Sequence, residues 1–394
     1  MMKKEQAKYG SPAGLVLTIV VGFVLYFMLK ALGNLNIQVL PDYAELVTNI
    51  EQPGNQILWF LINFTEPEFF AGAITTVFLF IGGFIAYALA VKKTKYMGIE
   101  ICYGQAHIWP WVLASEVLSL FVTEYLFGYL HMFDMGLTWI PTFICVVSVA
   151  PSMVLMYGPN VPNLLTGVFL GGVMCTPTAY IISQATASLN IPGAVNNVLA
   201  MAVTGIIAGS ICHVLPWIKK TEVRPTENIN AVAVDTTTAF WVLRRTVADF
   251  TEPQFWGSDI ASAFVIVGMI IEFILCPGIL SGGGSGMLPA VILSQFISGG
   301  IGVFLYTQKY RELGWYATYV PVVCTAPAVV LMYGDRMVVI LVASIISGII
   351  GAPLADWFND RKPAYIHGTV SNVMAMAVST VIVAAAVGLI SWIG

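Results

Sequence analysis

The chain has 394 residues, 58% of them hydrophobic and only 10% charged, with a formal net charge of −4. Soluble domains carry about 25% charged residues, so a water-soluble globular fold is excluded. Apolar runs recur at the roughly 17–25 residues a helix needs to cross a bilayer, without the short alternating segments of a membrane β-barrel. The class is an all-α polytopic membrane protein.

In chain order, a basic start (MMKKEQAKYG) is followed by an apolar run too long for a signal-peptide core and without a small-residue cleavage site, which predicts an uncleaved first span. Eleven spans are expected, at about 12–32, 69–91, 109–128, 137–157, 161–184, 194–218, 258–280, 287–306, 314–333, 337–356 and 369–392. Gln56–Phe64 is too short to cross. Thr236–Phe250 carries Arg244 and Arg245 beside an apolar face, which suits a helix lying in the membrane interface. The six cysteines show neither a disulfide framework nor a CxxC pair, and the four histidines have no metal-ligand spacing, so no cofactor is expected beyond a bound sodium ion or a coupled proton.

An N-terminus on the inner side puts 15 of the 17 Lys and Arg residues in inner segments, all but Lys30 and Arg336. The outer segment 33–68 holds Asp42, Glu45, Glu51, Glu66 and Glu68 and no base. This obeys the positive-inside rule, so the N-terminus is expected in the cytoplasm and the C-terminus outside a plasma membrane, the inner membrane if the source is bacterial.

Three segments recur in the same order. FTEPEF at Phe64–Phe69 returns as FTEPQF at Phe250–Phe255, and APSMVLMYG at Ala150–Gly158 as APAVVLMYG at Ala326–Gly334. NVLAMAV at Asn197–Val203 returns as NVMAMAV at Asn372–Val378. Spans two to six thus match spans seven to eleven. Because five is odd, the second unit enters the membrane from the opposite face, an inverted repeat of the kind secondary transporters use. The expected domains are an extra N-terminal helix (1–36), a first five-helix repeat (37–218), an inner linker with the interfacial helix (219–257) and an inverted second repeat (258–394).

In FTEP, a Thr suited to cap a helix is followed by Glu and Pro suited to its first turn, so capping of spans two and seven accounts for the motif. Thr176-Pro177 and Pro353 fall at matched places behind glycines, and proline frees a carbonyl able to coordinate a cation. Asn197 and Asn372 lie one turn inside spans six and eleven, suited to helix–helix hydrogen bonds or ion contacts. Ser281–Gly286 (SGGGSG) reads as a flexible or re-entrant outer loop.

The sharpest signal is Glu116, a carboxyl in mid-span, where a charge costs about 2.5–3.5 kcal/mol on insertion scales. Aligning Pro110 with Pro289 sets Ser115, Glu116 and Ser119 against Ser294, Gln295 and Ser298, with Thr123 extending the first stripe. These residues are the expected solute or ion site, with Glu116 as the coupling group. The expected function is a secondary active transporter of a small polar solute, driven by protons or sodium. A passive channel on the same frame is the alternative, and a membrane subunit or an intramembrane enzyme a more distant one. The chain carries no HExxH or GxSxG signature, so it is not expected to be an enzyme. The expected partners are the lipid bilayer and a small solute, with a homo-oligomer allowed and no nucleic acid.

Overall fold

The computed structural model describes residues 8–35, 37–94, 96–99, 101–223, 236 and 238–390. Lys3, Lys4, Lys95 and Arg224, four of the bases expected on the inner side, lie outside the described residues. All regular structure among the described residues is helical.

In chain order the helices are α1 (Pro12–Leu32), α2 (Tyr43–Thr48), α3 (Pro53–Ile62), α4 (Ala73–Val91), α5 (Trp109–Phe121), α6 (Val149–Tyr157), α7 (Val161–Ala185) and α8 (Ala194–Val214). They continue with α9 (Ala239–Ala248), α10 (Asp259–Leu275), the single turn α11 (Ser281–Gly284), α12 (Leu288–Leu305), α13 (Thr307–Leu313), α14 (Ala326–Tyr333), α15 (Met337–Asn359) and α16 (Gly368–Ile390). Eight helical segments, those of α1, α4, α5, α7, α8, α12, α15 and α16, are long and apolar enough to cross a membrane. The protein is therefore polytopic and membrane-embedded. The three other expected crossings form shorter helical stretches at Thr142–Tyr157, Asp259–Leu275 and Pro321–Tyr333.

Small residues set the packing. A Cβ on Gly82 would come within 2.7 Å of Phe264, and one on Gly268 within 2.7 Å of Phe78, so α4 and α10 meet at nearly backbone distance. They run antiparallel, since Gly72 faces Glu272 while Gly98, just past the other end of α4, faces Asp259. In the same way Gly205 meets Val370 and Gly209 meets Ile366, so α8 and α16 run antiparallel. Helix α12 passes through the centre, its Leu288–Gly300 stretch buried throughout, with α1 against one side through Gly22 and Phe296.

Proline does not break the helices at Pro177 or Pro353. Helices α7 and α15 run on through Pro177 and Pro353. The carbonyls these prolines free are taken: Tyr129 donates its hydroxyl to Val173 O at 3.0 Å, and Tyr306 donates to Ile349 O. Each of these carbonyls thus already accepts one hydrogen bond. The interruptions lie instead at matched places just ahead of α6 and α14. There Ser148 leaves the helical region (φ −132°, ψ −96°) after a short 3₁₀ turn, and Pro321–Thr325 winds as a π-helix.

The short helices α3 and α9 each lead to an FTEP segment, and the two segments fold alike. Thr65 Oγ1 accepts from Gly72 N at 3.0 Å and lies 3.2 Å from Thr76 Oγ1. Thr251 Oγ1 accepts from Ser258 N at 3.0 Å and lies 3.0 Å from Ser262 Oγ. Each hydroxyl thus ties a tight loop to the N-cap residue and first turn of the next long helix, α4 or α10, rather than capping the turn that directly follows it. The loops turn through left-handed residues at matched sites, Phe69 (φ 67°) and Phe255 (φ 63°). Helix α9 buries Trp241, Val242, Arg245 and Thr246, while Phe240 and Arg244 face outward.

Candidate functional site

The two FTEP tips meet in the interior. The rings of Phe70 and Phe250 stack at 6.1 Å. Gln254 Nε2 donates to Phe64 O at 2.7 Å and to Glu68 Oε1 at 2.6 Å, joining one tip to the other. Gln295 Nε2 on α12 donates to the backbone carbonyl of Glu68 at 2.9 Å. The Glu116 carboxyl on α5 faces Glu68 and the Trp256 indole but completes a hydrogen bond to neither.

These side chains are fully buried, yet five of their oxygens accept no hydrogen bond: Glu68 Oε2, Gln254 Oε1, Gln295 Oε1 and both oxygens of Glu116. A buried polar atom without a partner costs about 1–3 kcal/mol, and native structures hold few. Five such oxygens belong to the two tips and the two helices that face them.

The expected stripe of hydroxyls is engaged elsewhere. Ser115 donates to Val112 O and Ser294 to Val291 O, each at 2.7 Å. Thr123 donates to Ser119 O at 2.8 Å and Ser298 to Gln295 O at 3.3 Å. These are bonds back onto the residue's own helix or the helical turn that extends it. Ser119 Oγ lacks a partner but faces Gly171 on α7, and Thr176 Oγ1 is buried without a partner inside α7. Of the two patches, only Glu116 and Gln295 converge on the tips.

Beside the tips is a cavity of about 720 Å³. Glu66, Pro67 and Phe69 line it from one tip, and Glu252, Pro253 and Phe255 from the other. Asn197 and Met201 of α8, with Val373 and Met376 of α16, form a flank. It reaches Tyr43, Thr138, Asn190 and Gly283 at the end of the molecule where α7 finishes and α8 starts. No Lys, Arg or His among the described residues lines it. The Trp139 indole faces the Glu66 carboxyl.

A second cavity of about 410 Å³ lies towards the opposite end, between Tyr103, Trp315, Asp356, Asn359, His367 and Asn372. Asn197 and Asn372 thus belong to different cavities. Glu252 sits in the partition between them. Its carboxylate accepts from Arg245 Nη2 at 2.5 Å, Trp315 Nε1 at 3.0 Å and Tyr103 OH at 3.0 Å. Buried Arg245 also donates to Asp249 at 2.6 Å, and Asp249 accepts from Thr318 Oγ1 at 2.8 Å.

The matched positions of the first half form a cluster with no base, in which Asn63 Nδ2 donates to the buried Glu124 Oε1 at 3.2 Å. There Thr142 Oγ1 donates to Asn63 Oδ1 at 2.9 Å and Trp59 Nε1 donates to Thr142 Oγ1 at 3.1 Å. Trp59 and Asn63 stand where the second half has Arg245 and Asp249.

His367, in the loop between α15 and α16, lines the second cavity with Nδ1 accepting from Thr369 N at 3.2 Å. Burial, and then the positive charge of Lys362, lower its pKa to about 4. At neutral pH it is an uncharged ring with its proton on Nε2.

Sequence reasoning gave the FTEP acids to helix capping and missed Glu66, Glu68, Glu252 and Gln254 as site residues. The signal was present, since Glu68 answers Gln254 in the repeat just as Glu116 answers Gln295. No family model, no curated protein and no solved structure matches the chain.

Proposed function

We propose that the chain is a secondary active transporter that moves a small polar solute by alternating access, driven by a proton or sodium gradient. The observation that carries this reading is the pair of cavities towards opposite ends of the molecule, with Glu252, which lines the first, hydrogen-bonded to Tyr103 and Trp315, which line the second. A carrier needs a site reachable from one side while the other side is shut. A passive channel needs a continuous path, and the partition speaks against that reading.

In this proposal the chain crosses the membrane eleven times, as an extra N-terminal helix and two five-helix units of opposite orientation. The matched FTEP loops, the matched Tyr129 and Tyr306 bonds and the matched interruptions before α6 and α14 support it. Helices α3 and α9 are then half-helices that enter from opposite faces and end at mid-membrane. The larger cavity opens on the side that the charge pattern makes outer, so the structure corresponds to an outward-open state. Coupling resides in Glu116 and Glu68 with their amide counterparts Gln295 and Gln254, whose unpartnered oxygens take up the proton or sodium ion. The solute occupies the adjoining cavity at Glu66.

The test is solute uptake into proteoliposomes under an imposed proton or sodium gradient. Glu116→Gln is expected to abolish accumulation above equilibrium while leaving solute exchange across the membrane. Gradient-driven accumulation at the wild-type level in that variant would remove Glu116 from coupling. Flux that never exceeds equilibration in the wild type would favour the channel.

A further inference from the structure

The charge distribution around the larger cavity says which class of solute it takes. We infer that the cavity binds an organic cation with an apolar body, its ammonium group held by Glu66. The inference deepens the transport reading and rests on it only for the movement of the bound solute.

Three independent features point the same way. First, no basic side chain among the described residues lines the cavity, while two carboxylates do. Glu252 already has Arg245 as its ion-pair partner. Glu66 faces the Trp139 indole, with Tyr43 and Glu68 near it, and no cation among the described residues lines the cavity beside it. The cavity therefore carries one carboxyl group without a basic partner.

Second, helices α3 and α9 both run towards the cavity with their C-terminal ends, the ends where carbonyl dipoles leave partial negative charge. In α9 the buried Arg245 sits in the last turn and offsets this. In α3 the last turn has no base, and Glu66 and Glu68 follow directly. The negative potential is thus greatest at the first tip, where Glu66 faces the cavity.

Third, the walls suit an apolar cation. Phe69 and Phe255 stand beside the acids, with Phe143, Met201 and Met376 around them. Aromatic faces attract ammonium groups, and thioethers adapt to apolar bodies of varied shape. An anion entering here would meet two carboxylates and two helix C-termini with no donor of positive charge except the shielded Arg245.

Binding to the purified full-length protein in nanodiscs, read by quenching of tryptophan fluorescence and by calorimetry, tests this without a gradient. The probes are phenethylammonium and tryptammonium, set against their carboxylate isosteres 3-phenylpropionate and indole-3-propionate. Saturable binding of at least one amine, with the matching carboxylate at least tenfold weaker, is the expected result. Glu66→Gln should weaken that amine at least tenfold, and Glu66→Asp should retain part of the affinity. A melting temperature and elution profile like the wild type show that each variant is folded; if Glu66→Gln is not, Phe69→Ala and Phe255→Ala, expected to weaken the amine at least threefold, carry the test.

Equal or tighter binding of the carboxylates, no binding of either amine at millimolar concentration, or full affinity in the folded Glu66 variant would each overturn the inference. Amine binding without any movement across proteoliposomes would instead refute the transport reading and leave the cation site standing.

Discussion

At the scale of single residues, the chemistry divides between a buried ion-pair set and a buried unpaired set. Arg245 holds two carboxylates out of water, and removing one partner of a buried pair costs about 3–5 kcal/mol. Arg245→Ala is therefore expected to lower the thermal unfolding midpoint in detergent by several degrees. The double variant Arg245→Trp/Asp249→Asn, which copies Trp59 and Asn63, should recover part of that loss. A second expectation concerns His367. Its pKa in the fold, about 4, lies below the unfolded value near 6.5, so the fold prefers the neutral ring. Stability from this source is complete above pH 6.5 and is lost as pH falls from 6.5 towards 4. His367→Phe should flatten the decline of melting temperature across that window, and an unchanged pH slope would count against a buried neutral His367. Glu116 and Gln295 stood out in the sequence because a mid-span carboxyl is costly and its repeat counterpart is an amide between matched serines. Glu66 and Glu252 did not, because a Thr-Glu-Pro run is also a good helix start, and local chemistry could not reveal that two tips far apart in the chain meet.

At the scale of elements, helix breaks and helix contacts carry the fold. Tyr129 and Tyr306 each supply the hydrogen bond that a proline removed, which lets α7 and α15 run straight on. Tyr129→Phe and Tyr306→Phe are each expected to destabilise by about 0.5–1.5 kcal/mol, and the double variant by roughly the sum, measured by thermal or denaturant unfolding. The α4–α10 contact is less forgiving. Gly268→Leu would drive a large side chain into Phe78 and Thr75 and should prevent recovery of folded, monodisperse protein, as size-exclusion chromatography would show. Apolar run length located most long helices well. It said little about 137–157 and 314–333, where hydrophobicity continues but the backbone leaves the α-helix at Ser148 and at Pro321–Thr325. Pro177 and Pro353 misdirected the search for breaks because the rescuing tyrosines come from other segments of the chain.

At the scale of the whole molecule, the two cavities and their partition form one device. Asn359 lines the second cavity and Gly193 the first, which gives each side a reporter. In a Cys324→Ser background, Asn359→Cys is expected to react with a membrane-impermeant thiol reagent only from the face bearing the α15–α16 loop, and Gly193→Cys only from the other face. Weakening the partition with Tyr103→Phe/Glu252→Gln should let reagent added at the Gly193 face reach Asn359→Cys at least severalfold faster. An unchanged rate would mean that the partition lies elsewhere.

The unequal halves have one more consequence, for energy balance between conformations. Where the second half has a guanidinium, two carboxylates and a Thr hydroxyl, the first half has an indole, an amide, a Thr hydroxyl and the Glu124 carboxyl, with no base among them. Two gates built from such different bonds do not open with equal ease. If access alternates, the ligand-free protein should rest with its ionic gate shut and its base-free gate open, a bias of a few kcal/mol that leaves the opposite state only a minor population. In the proposed transport cycle a cationic cargo at Glu66 would redress that bias, and an empty carrier should return more slowly than a loaded one.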